Sequence, residues 1–320
     1  DRPRSARRCH VRRPGRPVRP AGAGGGTDAT YQSAVFDVFP ELLRSTPLWP
    51  TIGNHDVVEL DPAARLPYLD IFDLPTNGEI GGVPSGTERY YSFDRSNIHF
   101  VCLDSETSLS ISPTAMLSWL RADLAANTNE WLVAFWHSPP YSHGTHNSDQ
   151  EDFLIRMREK VVPILESNGV DLILCGHSHN YERSYLLDGH YGLSSTFKPS
   201  MARDAGDGSE EGSGPYLKAS DGHTGHEGAV YVVAGNAGWT GEGGYGALDH
   251  PAQGSLDRPA SGHSALGSVP TGADDRSVSP RRRTRPPVAA VYGGGGLFGI
   301  GYSLGIATAL RAAGTDLAHV

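Results

Sequence analysis

The chain has 320 residues, enough for one large domain or two smaller ones, and its 38% hydrophobic fraction is enough for a packed core. Its net charge is −9, but residues 1–20 hold eight arginines against one aspartate, so the rest of the chain carries about −16. Three cysteines exclude a disulfide framework, and an acidic body excludes attraction of anions by the overall surface charge.

The first 26 residues have a composition of their own, rich in arginine and proline and ending in a glycine run. They show no hydrophobic periodicity, which predicts a basic segment that is disordered or derives from a shifted reading frame. A basic arm that binds nucleic acid or an anionic membrane is the alternative. It ranks last, because it rests on this segment alone, and no nucleic-acid or membrane partner is expected.

Ordinary globular sequence occupies residues 27–252. One helix is predicted to start at Ser112-Pro113, and a second is predicted over Gln150–Asn168, since both segments have apolar residues at helical spacing. Apolar runs predict six strands, at Pro47–Ile52, Arg89–Asp94, Ile98–Asp104, Trp131–Trp136, Val170–Cys175 and Ala229–Ala234. Strands mixed with helices indicate a layered α/β domain.

The composition changes again after residue 252. Residues 253–287 are rich in Ser, Gly, Pro and Arg without periodicity, which predicts a disordered linker. Residues 288–310 carry no charge, so a membrane span is possible on length, but seven of these 23 residues are glycine. The favoured interpretation is therefore a strand, a glycine loop and a helix.

Three polar clusters each follow one of the predicted strands: Gly53-Asn54-His55-Asp56, then His137-Ser138-Pro139-Pro140-Tyr141, then Gly176-His177-Ser178-His179. Such positions converge on the crevice where α/β proteins place their sites. Imidazole nitrogens with amide or carboxylate oxygens suit Zn, Fe or Mn at a hydrolytic centre. Two adjacent cations can clamp a phosphate ester and lower the pKa of a bound water to about 7.

The residues beside the expected ligands have expected roles of their own. His55 can meet the leaving oxygen or orient phosphate, and Asp56 would fix the tautomer of His55. His143 and His146 lie in the loop after the second cluster, and the favoured interpretation is ordinary loop histidines, with approach to the substrate as the alternative. His223, His226 and His250 carry no motif and are expected to face solvent.

GNHD, H-x-P, and GHxH followed by NYER resemble the motifs of the calcineurin-like metallophosphoesterase superfamily, and within it the purple acid phosphatase-like branch. By this resemblance Asn54, His137 and His177 bind one metal and His179 binds the other. His55 would be the outer-sphere residue that faces the substrate. The resemblance also implies a four-layer αββα sandwich, hydrolysis of phosphate monoesters by metal-hydroxide attack, and two ions of Fe, Zn or Mn.

The segment YYSFDRSNIHFVCLDSE resembles the same branch, and the resemblance covers about residues 27–252, so the domain is expected to be truncated at both ends. Relatives of this kind are secreted or periplasmic, but no signal peptide is visible at the start. Residues 288–320 resemble the opening of a patatin-like phospholipase. No Gly-x-Ser-x-Gly nucleophile turn follows there, so lipase activity is not expected.

The family carries two further motifs before GNHD: an aspartate on the first strand, and Gly-Asp-x-x-Tyr, whose aspartate bridges both metals. The places of the second motif are taken by Arg19, Pro20, Ala21, Gly22 and Ala23. None of these residues can supply that carboxylate. We therefore expect a phosphomonoesterase that is impaired in this chain. The alternative is a non-catalytic fragment that binds a single divalent metal through Asn54, His137 and His177.

Overall fold

The computed structural model describes residues 26–37, 39–45, 47–57, 66–206, 208, 212–220, 222–235 and 251–257. The predicted basic segment except Gly26, most of the predicted linker at 253–287, the patatin-like segment at 288–320 and His250 lie outside the described residues. No helix among the described residues is long and apolar enough to cross a membrane.

All eight strands of the described chain belong to one sheet. They are β1 (Tyr91–Arg95), β2 (Ile98–Cys102), β3 (Trp131–Phe135), β4 (Leu172–Cys175), β5 (Tyr181–Leu187), β6 (Ala202–Asp204), β7 (Ala229–Ala234) and β8 (Gln253–Asp257). Their order is β1-β2-β3-β4-β7-β5-β6, and β8 also pairs with β5. Strands β2, β3, β4 and β7 are parallel, whereas β1 and β5 run antiparallel to their neighbours.

The five predicted strands from residue 89 onward are confirmed, with small shifts at their ends. The predicted strand at Pro47–Ile52 is wrong: its backbone is irregular. Two prolines remove ladder donors there, and its polar groups bond elsewhere. Thr51 Oγ1 donates to the Leu103 carbonyl at 2.8 Å, and the Tyr91 hydroxyl donates to the Pro50 carbonyl at 2.6 Å.

The predicted disordered linker begins too early, because residues 253–257 form β8 against β5. The sequence of β8 is QGSLD, which has no strand signal of its own, so the pairing with β5 and not local propensity determines this strand. Strand β5 was also missed. Its sequence, YERSYLL, buries alternate residues, including the polar Glu182 and Ser184, and therefore lacks an apolar run.

The helical segments of the described chain are α1 (Asp28–Tyr31), α2 (Pro40–Ser45), α3 (Asn54–Val57), α4 (Tyr68–Ile71), α5 (Ser108–Ile111), α6 (Pro113–Ala126), α7 (Asp152–Arg156) and α8 (Val162–Ser167). A π-helical turn, Met157–Val161, joins α7 to α8. Pro163 cannot donate the α-helical bond to Glu159, which accounts for the irregular turn before it. Both predicted helices are confirmed, as α6 and as the continuous α7–α8 segment.

The sheet has a hydrophobic core on each face. On one face α6 and the α7–α8 segment pack through Met116, Leu120, Met157, Val161 and Leu165 onto alternate strand residues such as Val101, Ala134 and Ile173. The residues between these point to the other face, where Phe100, Cys102, Val133, Phe135 and Leu174 meet Tyr31, Ile52 and Phe72. Burial on both faces explains why these parallel strands are continuous apolar runs.

The predicted α/β class is confirmed by this helix-covered mixed sheet. The described strands account for one of the two sheets that a four-layer αββα sandwich requires, so the second sheet stays a prediction. The parallel strands bring their carboxyl ends to one edge of the sheet, where β3 and β4 are direct neighbours. The polar clusters that follow these two strands therefore start side by side.

Candidate metal centre

Asn54, His137 and His177 meet at this edge of the sheet. His137 Nε2 lies 2.8 Å from Asn54 Oδ1 and 3.0 Å from His177 Nδ1. The two imidazole rings are 4.9 Å apart between centroids, at an interplanar angle of 69°. The backbone supports the approach, since Gly176 N–H donates to the His137 carbonyl at 2.9 Å. The structure therefore brings together the three residues that were predicted to share one metal.

These three donor atoms fit a cation. His177 and His137 are buried, and burial holds the pKa of His177 below its ordinary value, so its imidazole is neutral and its nitrogen can bind a metal. Two imidazole nitrogens 3.0 Å apart can share only one proton between them. A cation about 2.0–2.1 Å from each nitrogen would satisfy both lone pairs and the asparagine oxygen together.

His177 occupies a strained backbone position. Its φ is +64°, in the left-handed region that side chains other than glycine seldom adopt. The turn is tight, because Ser178 N–H donates to the Gly176 carbonyl at 2.7 Å. A Cβ at Gly235 would lie 1.9 Å from the Ser178 carbonyl oxygen, so only glycine fits against this turn. Strain of this kind persists where the surroundings hold it, and it clusters at functional sites.

Glu151 is a member of the cluster that the sequence analysis missed. Its Oε2 lies 3.1 Å from His177 Nε2 and 3.0 Å from His146 Nδ1. Burial opposes ionisation of Glu151, but hydrogen bonds from His146 and His177 outweigh it and hold its pKa below the usual range. A proton on His177 Nε2, donated to Glu151, leaves the Nδ1 lone pair directed at His137 and Asn54.

The loop that carries His146 brings this residue to the cluster, so approach to the substrate stays open beside the favoured interpretation. The ring centroid of His146 lies 3.7 Å from that of His177, and its side chain is about one-third exposed. His146, Glu151 and His177 also place one ligand atom each within 4.8 Å of one another, a spacing that could hold a metal ion. His143 instead faces its own loop, where its Nε2 lies 3.1 Å from Asn147 Nδ2.

His179 lies beside the three-residue set rather than within it. Its backbone N–H donates to Thr145 Oγ1 at 2.9 Å, and its ring is 6.3 Å from that of His146. Burial, followed by the nearby charges of His146 and His177, lowers its pKa. His179 thus lies next to the cluster, and its role as a ligand to a second metal stays a prediction.

His55 and Asp56 point in different directions. Asp56 is buried, and its carboxylate accepts hydrogen bonds from the Tyr31 hydroxyl and from Gly53 N–H, the latter at 2.7 Å. Asp56 thereby joins α1 to α3, and the hydrogen bonds that the described residues give it do not include one from His55. His55 is exposed, and its charge acts on Asp56, His177 and His179, so it faces the cluster from the solvent side.

The remaining histidines differ in how well they match the expected exposure to solvent. His226 is exposed, as expected, although its Nδ1 lies 2.9 Å from Asp188. His223 is partly buried and bonded to Asn127 at 3.1 Å, so the expectation of a free solvent-facing ring is wrong for it. His226, Glu166 and Asp188 could also hold a cation by spacing. That group lies outside the three polar clusters.

Residues 23–181 match the family model described as calcineurin-like phosphoesterase. The chain thus carries a calcineurin-like phosphoesterase domain, and the resemblance inferred from its motifs is confirmed. The match includes all three polar clusters.

Several curated relatives of this chain are purple acid phosphatases. Purple acid phosphatase 15 of Arabidopsis thaliana is 35% identical over 147 residues, which cover 45% of this chain and 26% of that protein. Purple acid phosphatase 18 of the same plant is 29% identical over 174 residues, covering 49% and 36%. The chain therefore spans roughly a quarter to a third of the length of these relatives.

Among solved structures, purple acid phosphatase PPD1 from yellow lupin seeds is 18% identical, with a TM-score of 0.34 over 51% of this chain and 29% of that chain.

Proposed function

We propose that this chain is a metal-dependent phosphoric monoester hydrolase whose activity is impaired, and that Fe, Zn or Mn is the metal. The observation that carries the proposal is the approach of two side chains to His137. Its Nε2 lies 2.8 Å from Asn54 Oδ1 and 3.0 Å from His177 Nδ1. A metal bound there supplies a Lewis acid and lowers the pKa of water. Secretion or a periplasmic location is proposed on the resemblance alone.

Each residue has a task that its geometry suits. Asn54 is a neutral ligand, so the site stays positive enough to hold an anion in an acidic protein. Glu151 fixes the tautomer and orientation of His177. His55 and His146 are the more exposed imidazoles, and we assign them to phosphate oxygens and to the proton of the leaving oxygen.

A second candidate function is a non-catalytic fragment that binds one divalent metal. One specific observation favours it: Asn54 Oδ1 and His177 Nδ1 both lie within 3.0 Å of His137 Nε2, while His179 is the one predicted ligand for the second metal. Three ligands with an open position are typical of a mononuclear site. Catalysis by a two-metal clamp needs a bridging carboxylate in addition.

Metal content and turnover together separate the two candidates. Purified chain, loaded with Zn, Mn or Fe, is analysed for metal per chain and assayed with p-nitrophenyl phosphate. We expect His177→Ala to lose the metal and any phosphatase activity, whereas His223→Ala, a histidine outside both groups of possible metal ligands, keeps both. Full metal content and turnover in His177→Ala would show that the assigned site is wrong.

A graft tests the proposed impairment. Replacing residues 1–26 with a family-type segment that carries the first-strand aspartate and Gly-Asp-x-x-Tyr should raise turnover greatly and bring the metal content near two per chain. Robust activity in the unmodified chain, abolished by Asn54→Ala, would refute the impairment. A graft that gains metal but no turnover would instead favour the binding fragment.

A further inference from the structure

The histidine loop, Ser142–Ser148, carries His146 to the metal centre and is closed at its base. Ser148 N–H donates to the Ser142 carbonyl at 3.0 Å, and Ser142 N–H donates to Ser148 Oγ at 3.1 Å. The buried guanidinium of Arg158 donates to the carbonyls of Pro140 and Ser148, at 3.0 and 2.6 Å. The base of the loop is therefore anchored to the π-helical turn that holds Arg158.

A buried carboxylate lies beneath the same loop. Glu182, on β5, is fully buried. Its Oε1 accepts hydrogen bonds from Ser142 Oγ at 2.8 Å and from Asn180 Nδ2 at 2.7 Å, and its Oε2 faces His143 N–H at 3.4 Å. Burying a carboxylate is costly unless donors compensate it, and two of these donors belong to the loop. The histidine loop and Glu182 thus stabilise each other.

The histidine loop fits closely against Asn180, the residue that precedes β5. A Cβ at Gly144 would lie 2.1 Å from Asn180 Oδ1, so only glycine allows the loop to lie this near. On its other side the loop contacts the turn after β4: His146 N–H donates to Ser178 Oγ at 3.3 Å, and Thr145 Oγ1 accepts from His179 N–H. The close approach of the His146 ring to the His177 ring, with centroids 3.7 Å apart and planes tilted by 31°, is the result of these contacts.

We propose that Glu182 is a positioning residue, which holds the histidine loop so that the ring of His146 lies against that of His177 beside the metal centre. Glu182 acts through the loop, since it accepts hydrogen bonds from Ser142 Oγ and from His143 N–H, both in the loop. The catalytic consequence of this role rests on the proposed function, whereas the effect on His146 does not.

The test measures the rate at which diethyl pyrocarbonate modifies His146, by peptide mass spectrometry, with the exposed His226 in the same chain as reference. A lost hydrogen bond to a charged group loosens the loop, and we expect about tenfold faster modification of His146 in Glu182→Ala. Glu182→Gln keeps an acceptor for Ser142 and should fall between this variant and the wild type. The content of metal held by Asn54, His137 and His177 should not change.

Glu166→Gln is the matched control, because Glu166 is equally buried and hydrogen-bonded but accepts its bonds from Tyr191, Tyr231 and Gly189. We expect it to leave the modification of His146 at the wild-type rate. Gly144→Ala displaces the loop without removing a charge, so it should also accelerate the modification of His146. If Glu182→Ala does not fold, the rate in Gly144→Ala decides whether the position of the loop controls the reactivity of His146. Gly206→Ala, which crowds Ser213 in a surface loop, is its control.

The outcomes separate this inference from the proposed function. Faster modification in Glu182→Ala and Gly144→Ala supports the positioning role even if the wild-type chain hydrolyses no phosphate ester. If the chain is active, kcat/KM should fall about tenfold in both variants at unchanged metal content. Folded Glu182→Ala and Gly144→Ala proteins in which His146 reacts at the wild-type rate would overturn the inference.

Discussion

Replacing His99 by glutamine tests how much a buried imidazolium contributes to the stability of the sheet. His99 lies on β2 and is almost fully buried. Its Nδ1 is 2.7 Å from Asp94 Oδ1, and its Nε2 is 2.8 Å from Asp123 Oδ2. Only the doubly protonated ring can donate to both carboxylates. Burial lowers the pKa of His99, but Asp123 and then Asp94 outweigh it, so the pKa is raised.

The sign of the pH dependence follows from this raised pKa. The folded state binds the proton more tightly than the unfolded chain, whose histidine titrates at about 6.5. The stabilisation by His99 is therefore complete below about pH 6.5 and is lost as the pH rises through the higher pKa of the folded state. The bond to Asp123 contributes most, because Asp123 is fully buried, whereas solvent screens the partly exposed Asp94.

The expected magnitude is that of removing one partner from a buried ion pair. His99→Gln should lower the free energy of unfolding by about 3 kcal/mol at about pH 6, and Asp94→Asn should lower it by about 1 kcal/mol or less. Urea unfolding at about pH 6 and about pH 9 measures both. The wild type should approach His99→Gln in stability as the pH rises. A constant difference between the two proteins across this range would refute the reasoning.

Two further predictions concern Glu166 and Glu151. Burial raises the pKa of Glu166 to about 7, so the folded state retains a proton that the unfolded chain loses at about 4.5; stability should fall as the pH rises between these values. Glu166→Gln should remove up to about 3 kcal/mol of that fall in urea unfolding, and an unchanged pH profile would contradict it. Glu151→Gln should weaken Zn²⁺ binding about 10–100-fold by calorimetry, because the carboxylate orients His177; unchanged affinity would exclude this role.

The sequence was sufficient for the central strands because they are buried on both faces. Strands β2, β3, β4 and β7 are continuous apolar runs in the sequence. Because these strands are parallel neighbours, His137 and His177, which follow β3 and β4, lie side by side. Strands β5 and β8 lack such runs, since β5 buries polar residues and β8 is defined by its pairing. The segment at Pro47–Ile52 looked like a strand by apolarity alone, which ignored the missing donors of its prolines.

The candidate site likewise contains residues that the sequence predicted and residues that it did not. Asn54, His137 and His177 could be predicted, because each follows its run directly and belongs to a motif. Glu151 and His146 could not, because their approach depends on how the histidine loop folds back. Contacts from distant parts of the chain, at Arg158 and Glu182, determine that fold. The number of residues between His137 and either Glu151 or His146 does not predict how this loop folds back.

The expected preference of this centre for one cation can be related to the contacts of Gly26. Gly26 N–H donates to the His55 carbonyl at 2.8 Å, and a Cβ at Gly26 would lie 2.9 Å from Asp56 Oδ1. Gly26 thus contacts α3, the element that supplies Asn54. By the resemblance, the Gly-Asp-x-x-Tyr motif would precede this residue by only a few positions. Arg19–Ala23, which take its places in the sequence, include neither a carboxylate nor a phenol. We therefore expect Asn54, His137 and His177 to bind one cation more tightly than His179 binds a second.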